Sequence, residues 1–175
     1  MHIRPANLSD TERCQELDAA YMTDCVWRME EQANEEMASV TFQRVHMPRQ
    51  MLVPYPRRLD TLREDWQRHE CFLVADDLGQ VIGFLDMLAH RWRWRAQIEH
   101  LVVDRAHRGR GVGSRLLLAA RRWARGSQMQ AIGVVLPNKN DPAISLFRRH
   151  GYQFHGFLDD YYDNGDIGIA FTLYL

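Results

Sequence analysis

The chain has 175 residues, 46% of them hydrophobic, and a formal net charge of −1 at neutral pH. This composition predicts one globular domain over residues 1–175 with a substantial core. The near-zero charge argues against nucleic acid or a membrane surface as a partner. Three widely spaced cysteines, no apolar leader and no run of about twenty apolar residues predict a reduced, cytoplasmic protein.

The N-terminal part of the chain gives few clear elements. Ser9–Glu12 fits a capping box that would begin a helix running to about Tyr21. Val40–Val45 predicts a strand, whereas Glu30–Met37 fits either a helix or the end of a hairpin. The spacing of apolar residues predicts a helix over Leu59–Trp66.

The second half alternates strand and helix patterns, which predicts an α/β or α+β fold with a mixed sheet. Asp141 is expected to cap a helix that has Pro142 in its first turn. The other predicted elements are a hairpin (Cys71–Ala75 and Val81–Leu85), a buried strand (Ile98–Val103), a helix (Arg115–Ala124) and three further strands (Ala131–Leu136, Gln153–Leu158 and Ile167–Leu175).

The most informative segment is Asp104–Ser114, between the buried strand and the helix that follows it. Its glycines at positions 109, 111 and 113 let the backbone turn tightly and approach a ligand closely. The free N–H groups of such a loop converge with the positive end of the helix dipole, which favours a pyrophosphate. Arg108 and Arg110 would add positive charge at the rim of the site.

Two common phosphate-binding motifs fit this segment poorly. A nucleotide-hydrolysing P-loop needs a lysine after its last glycine, but here Gly113 is followed by Ser114 and Arg115. A dinucleotide fingerprint needs a different glycine spacing and an acidic residue about twenty positions later, where this chain has Gly133.

The pattern Arg108-x-x-Gly111-x-Gly113 instead resembles the pyrophosphate loop of the GNAT superfamily of acetyl-coenzyme A-dependent N-acetyltransferases. A second segment, Asn140–Tyr152, resembles that family's Asn-x-x-Ala-x-x-Leu-Tyr/Phe-x-x-x-Gly-Phe/Tyr signature. One helix and one strand separate the two signatures, as in the family, and the resemblance extends from about Cys71 to the C-terminus. A faint similarity to streptothricin-type acetyltransferases is present around Gln97–Glu99 and in the long segment before the sheet.

The resemblance implies a GNAT-like fold, with a mixed, mostly antiparallel central sheet flanked by helices. In that fold two central strands splay apart to admit coenzyme A. It further implies acetyl-CoA as cosubstrate, without a metal. The residues implied to bind the cosubstrate are Leu101, Val102, Val103, Arg108, Gly109, Arg110, Gly111, Val112, Gly113, Ser114, Asn140 and Phe147.

Transfer of an acetyl group to an amine needs a general base, because an alkyl ammonium has a pKa of about 10 and attacks only as the free amine. Glu99 is the candidate base, since a carboxylate inside an apolar strand would be costly to bury without a function. The alternatives for Glu99 are an ion pair with Arg93 or Arg95, or a carboxylate at an exposed end of the sheet. His100, on the opposite face of the strand, is the second candidate base, with a structural hydrogen bond as its alternative.

Phe147 stands where many relatives have a tyrosine that protonates the departing thiolate. Tyr161 and Tyr162 are the candidate replacement acids; Tyr152 is a third, but its place between Gly151 and a strand favours a core position. The other possibility is that the thiolate leaves unprotonated, since a thiol has a pKa of about 8.5. A backbone N–H at Val102 or Val103 is expected to polarise the thioester carbonyl.

The resemblance places two acidic segments, Glu30–Glu36 and Asp159–Asp163, in or near the regions that line the acceptor cleft of the family. Acidic lining favours the amine of a small cationic molecule or of a peptide. A homodimer is left open. The competing function is a non-catalytic acyl-CoA-binding sensor or partner module, for which Phe147 leaves room.

Overall fold

A computed structural model describes residues 1–175. Its elements in chain order are β1 (His2–Pro5), α1 (Asp10–Gln15), β2 (Tyr21–Ala33), β3 (Ala38–Val53), α2 (Leu62–Arg68), β4 (Cys71–Asp77), β5 (Gln80–His90), β6 (Arg95–Val103), α3 (Val112–Gly126), β7 (Ala131–Pro137), α4 (Asp141–Arg149), β8 (Gln153–Leu158) and β9 (Gly168–Tyr174).

Seven strands form the main sheet in the order β1-β4-β5-β6-β7-β9-β8, and β2 and β3 form a separate hairpin. Every neighbouring pair in the main sheet is antiparallel except β6 and β7, which are parallel. The predicted fold class, a mixed and mostly antiparallel sheet flanked by helices, is therefore confirmed.

The two central strands separate partway along their length. β6 and β7 pair only from Arg95 with Ala131 to Ile98 with Val134, although β6 continues to Val103 and β7 to Pro137. The predicted splay of the central strands is confirmed. It leaves one edge of β6 without a neighbouring strand, directly before the glycine loop.

Helices cover both faces of the sheet. On β4, Leu73 and Ala75 belong to an apolar cluster that includes Leu116 and Leu117 of α3. The alternate β4 residues Phe72 and Val74 belong to a second cluster with Cys14 of α1 and Leu62 of α2. Because β4 is covered on both faces, it is apolar throughout instead of alternating.

The differences from the predicted elements lie mainly before β4. The first helix ends at Gln15, and Tyr21 already begins β2. Ser9 makes no side-chain capping hydrogen bond, and its backbone already has helical angles (φ −64°, ψ −22°). The Asp10 carboxylate accepts from the Asn7 N–H at 2.7 Å. The alternative for Glu30–Met37 resolves as the end of the β2–β3 hairpin, since Asn34 N–H donates to the Met37 carbonyl at 2.8 Å.

Asp141 does not cap α4, contrary to the prediction. The cap is Asn140, whose side-chain oxygen accepts from the Ala143 N–H at 3.1 Å. The Asp141 carboxylate instead accepts a bidentate pair of hydrogen bonds from Arg44 of β3, at 2.7 and 2.8 Å. Asp141 therefore links the β2–β3 hairpin to α4 through hydrogen bonds with Arg44. The sequence around Asp141 does not indicate this long-range contact.

Candidate active site

The glycine loop presents a continuous set of free backbone donors. Gly109 and Gly111 have φ angles of +75° and +80°, which only glycine adopts readily. The N–H groups from Gly109 to Ser114 donate to no oxygen of the protein, and the first intrahelical bond starts at Arg115 N–H. Together with the N-terminus of α3, they form a site suited to a diphosphate.

Both arginines of the loop were expected to supply charge at its rim. Arg110 is exposed, whereas the Arg108 side chain is directed to carbonyl oxygens of the protein. The Arg108 guanidinium donates to the carbonyl oxygens of Val103, Ala20 and Asp18, at 2.8, 2.6 and 2.8 Å. Burial lowers the pKa of Arg108. Its side chain thus ties the end of β6 to the segment between α1 and β2 and fixes the shape of the loop.

The unpaired edge of β6 offers backbone groups at alternate residues. Asp104 N–H donates to Ile82 of β5, so alternation in an antiparallel pair turns the groups of Val102 towards β5 as well. The backbone groups of Leu101 and Val103 therefore face the gap that β7 has left. Of the three residues expected to bind the cosubstrate through their backbone, Leu101 and Val103 face the gap and Val102 does not.

A cavity of about 700 Å³ occupies the gap between β6 and β7 and extends over the glycine loop. We call it the loop cavity. Every residue that the family resemblance implies for coenzyme A lines it except Arg110, which is exposed beyond its edge. Asn140 lines the cavity while capping α4, and the fully buried Phe147 packs edge-on against Tyr152 with ring centroids 4.9 Å apart.

Glu99 lies where two irregularities of β6 coincide. Pairing with β5 shifts from His100 opposite Asp86 to Ile98 opposite Met87, so Glu99 is a bulged residue without a partner in β5. Pairing with β7 ends one residue earlier, at Ile98. Bulges of this kind redirect a side chain and are common beside active sites.

The Glu99 carboxylate forms an ion pair with Arg57, a partner that the sequence did not indicate. Arg57 donates to Glu99 Oε2 at 2.7 Å, and both side chains are about one-fifth exposed, 22% for Arg57 and 23% for Glu99. Neither Arg93 nor Arg95 is the partner, since their guanidinium groups lie over the rings of Trp92 and Tyr174, 4.2 and 5.9 Å from the centroids.

A second cavity, of about 440 Å³, lies on the far side of Glu99. We call it the side cavity. It is lined by the segment around α2, by Glu99 and His100 of β6, and by the loop before β9. The two cavities share Pro56, Arg57, Glu99 and Tyr162, so these residues stand at the junction between them.

The two candidate acids occupy different places. Tyr162 is buried at the junction, its hydroxyl donates to the Val135 carbonyl at 3.0 Å, and burial raises its pKa. Tyr161 lines only the side cavity and accepts a long hydrogen bond from Arg57 at 3.4 Å. Both backbone N–H groups donate to the Asp166 carbonyl, which fixes this loop.

His100 is buried beneath the side cavity. Its Nδ1 lies 3.0 Å from the Tyr55 hydroxyl, and its ring packs against Phe84. Burial, with Arg57 and His69 nearby, lowers the pKa of His100 to about 3. It is therefore neutral at physiological pH and hydrogen-bonded, which fits the structural alternative.

Three polar residues near the junction were not singled out from the sequence: Arg57, His69 and Asp86. Asp86 interrupts the apolar run of β5 just as Glu99 interrupts that of β6, so the same reasoning applied to both would have found it. Arg57 lies in a proline-containing segment without a pattern of its own. Only the tertiary fold brings it to Glu99.

The predicted acidic lining is present only in part. Asp163 lines the side cavity, whereas the glutamates of the β2–β3 hairpin end are exposed and line neither cavity. One group of metal-binding residue types, Asp24, Cys25 and His46, converges away from both cavities, with ligand atoms within 4.8 Å of one another. The absence of a metal stays a prediction. No helix has the length and apolar content required to cross a membrane.

Comparison with known proteins agrees with this geometry. Streptothricin acetyltransferase of Escherichia coli is 34% identical over 102 residues, which cover 58% of this chain and 58% of that protein. Its counterpart in Streptomyces lavendulae is 33% identical over 85 residues, covering 49% of this chain and 45% of that protein. The chain thus matches about half the length of these relatives.

Two solved structures match nearly the whole chain. A nourseothricin acetyltransferase superposes with a TM-score of 0.83 at 25% identity, covering 99% of this chain and 97% of that one. A proposed streptothricin acetyltransferase from Bacillus anthracis, solved with acetyl coenzyme A, superposes with a TM-score of 0.78 at 22% identity and covers 99% of both chains. The family model described as acetyltransferase (GNAT) matches residues 23–152. By this match, and with the splayed strands and glycine loop to support it, the chain belongs to the GNAT family of acetyltransferases.

Proposed function

We propose that the protein transfers an acetyl group directly from acetyl-CoA to a primary amine of a small cationic molecule or peptide. The observation that carries this proposal is the junction at Glu99, Arg57 and Tyr162, where the loop cavity meets the side cavity. The loop cavity has the donors for a diphosphate and a free strand edge. The side cavity gives an amine a separate approach to the same point.

On the donor side, bound acetyl-CoA supplies an activated thioester. The N–H groups of Gly109–Ser114 would hold its diphosphate, and the backbone of Leu101 and Val103 would pair with the pantetheine arm as a strand does. Of the two residues whose backbone faces the gap, Leu101 lies nearer to Glu99, so its N–H is the group that would donate to the thioester carbonyl oxygen as negative charge develops there.

On the acceptor side, Glu99 would take the proton that the nitrogen loses as it attacks. Arg57 binds one carboxylate oxygen of Glu99 and leaves Oε1 without a protein partner. Tyr162 is the better placed of the two candidate acids, because it lines the loop cavity whereas Tyr161 does not. Its hydroxyl donates to the Val135 carbonyl, and it would exchange that hydrogen bond for one to the departing sulfur, supplying the proton that Phe147 cannot.

Streptothricin is the first acceptor to test, since relatives of this chain carry its name. Asp65 and Asp163 line the side cavity and favour a cationic acceptor. Arg57 and Arg58 line it as well, and they would repel an acceptor that carried several positive charges into the cavity. We therefore expect a molecule that inserts a single amine.

The test is thiol release from acetyl-CoA in the presence of streptothricin, spermidine, a lysine-containing peptide or glycine. We expect release with at least one cationic amine and little with glycine. Calorimetry of acetyl-CoA binding distinguishes the competing sensor function: tight binding without transfer to any amine would support the sensor, and no binding would contradict both.

A further inference from the structure

A buried carboxyl group lies directly behind the side cavity. Asp86 of β5 is fully buried, and its Oδ2 is hydrogen-bonded to Nδ1 of His69, the C-cap residue directly after α2. Its second oxygen, Oδ1, is buried without any hydrogen-bond partner. A carboxyl group kept inside an apolar strand with one oxygen unsatisfied destabilises the fold, which calls for a functional explanation.

His69 connects this carboxyl group to the side cavity. The imidazole lines the cavity together with Glu99, and only 9% of its side chain is exposed. With Nδ1 committed to Asp86, Nε2 makes no hydrogen bond within the protein. A carboxylate that fixes one ring nitrogen leaves the other available to accept a proton and stabilises the imidazolium that forms.

The proposed reaction needs two proton acceptors. An amine with a pKa of about 10 arrives as an ammonium ion and must lose one proton before it has a lone pair. It loses a second proton as the N–C bond forms and the C–S bond breaks. Glu99 at the junction can account for the second proton, which passes to the departing sulfur directly or through Tyr162. The first proton must leave by another route.

We propose that the His69–Asp86 pair removes this first proton, so that His69 converts the incoming ammonium ion into the free amine inside the side cavity. His69 Nε2 accepts the proton and Asp86 stabilises the imidazolium. The proton then passes to water after the amine has reacted. This inference rests on the acetyl transfer proposed above, and it adds a residue pair that lies outside both sequence signatures.

The electrostatic surroundings of His69 are consistent with this role. Burial disfavours the charged imidazole, but the hydrogen bond and charge of Asp86 outweigh it and raise the pKa of His69. Burial raises the pKa of Asp86 to about 6 despite the hydrogen bond from His69. The other titratable groups that line the side cavity with His69 are Arg57, Arg58, Asp65, Glu99, His100, Tyr161, Tyr162 and Asp163.

Two buried thiols lie close enough to feel the charge of Asp86: Cys14 of α1 and Cys71 of β4. Burial raises the pKa of each to about 12, and the Asp86 charge adds to the shift. Both thiols therefore stay protonated over the working pH range. Asp86 itself lines neither cavity, so His69 is the group of the pair that exchanges protons with the side cavity.

The test compares His69→Gln with the wild type over the pH range from about 6 to about 10, using streptothricin or whichever amine of the panel the wild type acetylates best. We expect kcat/KM to fall about 10²-fold near pH 7, with the Kd of acetyl-CoA unchanged. The defect should shrink as pH approaches the pKa of the amine, because water then supplies the free amine. His155→Gln, an exposed histidine of β8, is the matched control and should behave as the wild type.

Two further variants separate chemistry from folding. Asp86→Asn should reproduce the pH-dependent defect if it folds, and added imidazole should restore part of the rate of His69→Ala. A loss of equal size at every pH, or no loss at all, would overturn the role of the pair while leaving acetyl transfer intact. Absence of transfer by the wild type to every amine would instead overturn the proposed function, and the inference with it.

Discussion

Glu99 is the residue on which the proposed chemistry depends most. It is bulged out of register with β5, lies one residue past the end of pairing with β7, and is bound by Arg57. Each of these features arises from a different part of the chain, and together they hold one carboxylate at the junction of two cavities. A carboxylate fixed in this way can accept a proton without first reorganising.

For Glu99→Gln we expect kcat to fall about 10²- to 10³-fold, because the amide cannot take a proton although it fills the same space. Gln can still accept a hydrogen bond from Arg57, so the Kd of acetyl-CoA should not change. Steady-state rates over a range of pH, with calorimetry of acetyl-CoA binding, measure both quantities. An unchanged rate at every pH would exclude Glu99 as the base.

The lowered pKa of His100 predicts how the stability of the fold depends on pH. Its pKa is lowered from 6.5 to about 3 in the folded protein, mainly by burial, so the unfolded chain binds the proton first as pH falls. The stabilisation is therefore complete above about pH 6.5 and is lost progressively towards about pH 3. Between pH 7 and pH 5 this single group should account for about 2 kcal/mol of lost stability.

The measurement is urea unfolding of the wild type and of His100→Gln at both pH values. His69 and Asp86 titrate in both proteins, so the difference between the two isolates His100. The wild type should lose about 2 kcal/mol more than the variant on acidification. Equal losses would mean that His100 is protonated in the folded protein.

At the scale of elements, the glycine loop offers a ligand free backbone N–H groups, while its Arg108 side chain is hydrogen-bonded within the protein. The Arg108 side chain donates to three carbonyl oxygens, so in our proposal the N–H groups of Gly109–Ser114 and the helix dipole of α3, and not Arg108, contact the diphosphate. Such a site is sensitive to any negative charge placed beside it.

Gly111→Asp tests this directly, with Gly111→Asn as its matched control. No atom lies within 4 Å of a Cβ built at Gly111, and asparagine tolerates a positive φ about as well as aspartate does. The two variants therefore differ chiefly in charge. We expect the Kd of acetyl-CoA to rise much more in Gly111→Asp than in Gly111→Asn, as measured by calorimetry. Equal affinities in the two variants would contradict a diphosphate at this loop.

The elements that local patterns predict well are those from β4 to β9. The apolar run of β4, the turn after it and the glycine loop before α3 each carry their signal within a few neighbouring residues. The β2–β3 hairpin lacks such a signal, because its position depends on Arg44 reaching Asp141. Arg57 and His69 were not predicted for the same reason. Arg57 is paired with Glu99 and His69 with Asp86, and neither partner is a neighbour in the sequence.

At the scale of the whole molecule, ligand binding should raise the free energy of unfolding and the Tm. The loop cavity lies between strands that have separated, so a ligand that pairs with the edge of β6 adds contacts that the unfolded chain cannot make. Acetyl-CoA at about 100 times its Kd should add about 2.7 kcal/mol to the stability, or roughly 5–10 °C in Tm for a protein of this size. Thermal unfolding with and without acetyl-CoA measures the shift, and desulfo-CoA, which keeps the diphosphate, should give most of it.

The same unfolding curves bear on the organisation of the chain. A single cooperative transition is expected if residues 1–175 form one domain, since the two apolar clusters share the strands of one sheet. Two separate transitions would contradict that prediction. The homodimer also stays a prediction, which sedimentation of the purified protein tests.

The donor side of the junction consists largely of main-chain groups, whereas the acceptor side consists of side chains from three separate elements. Main-chain amides are identical in every residue except proline, so substitutions can accumulate around the donor site without altering what it binds. Substitutions in the wall opposite change the chemistry that an acceptor encounters. One scaffold can in this way acquire new acceptors over evolutionary time while its acetyl source remains the same.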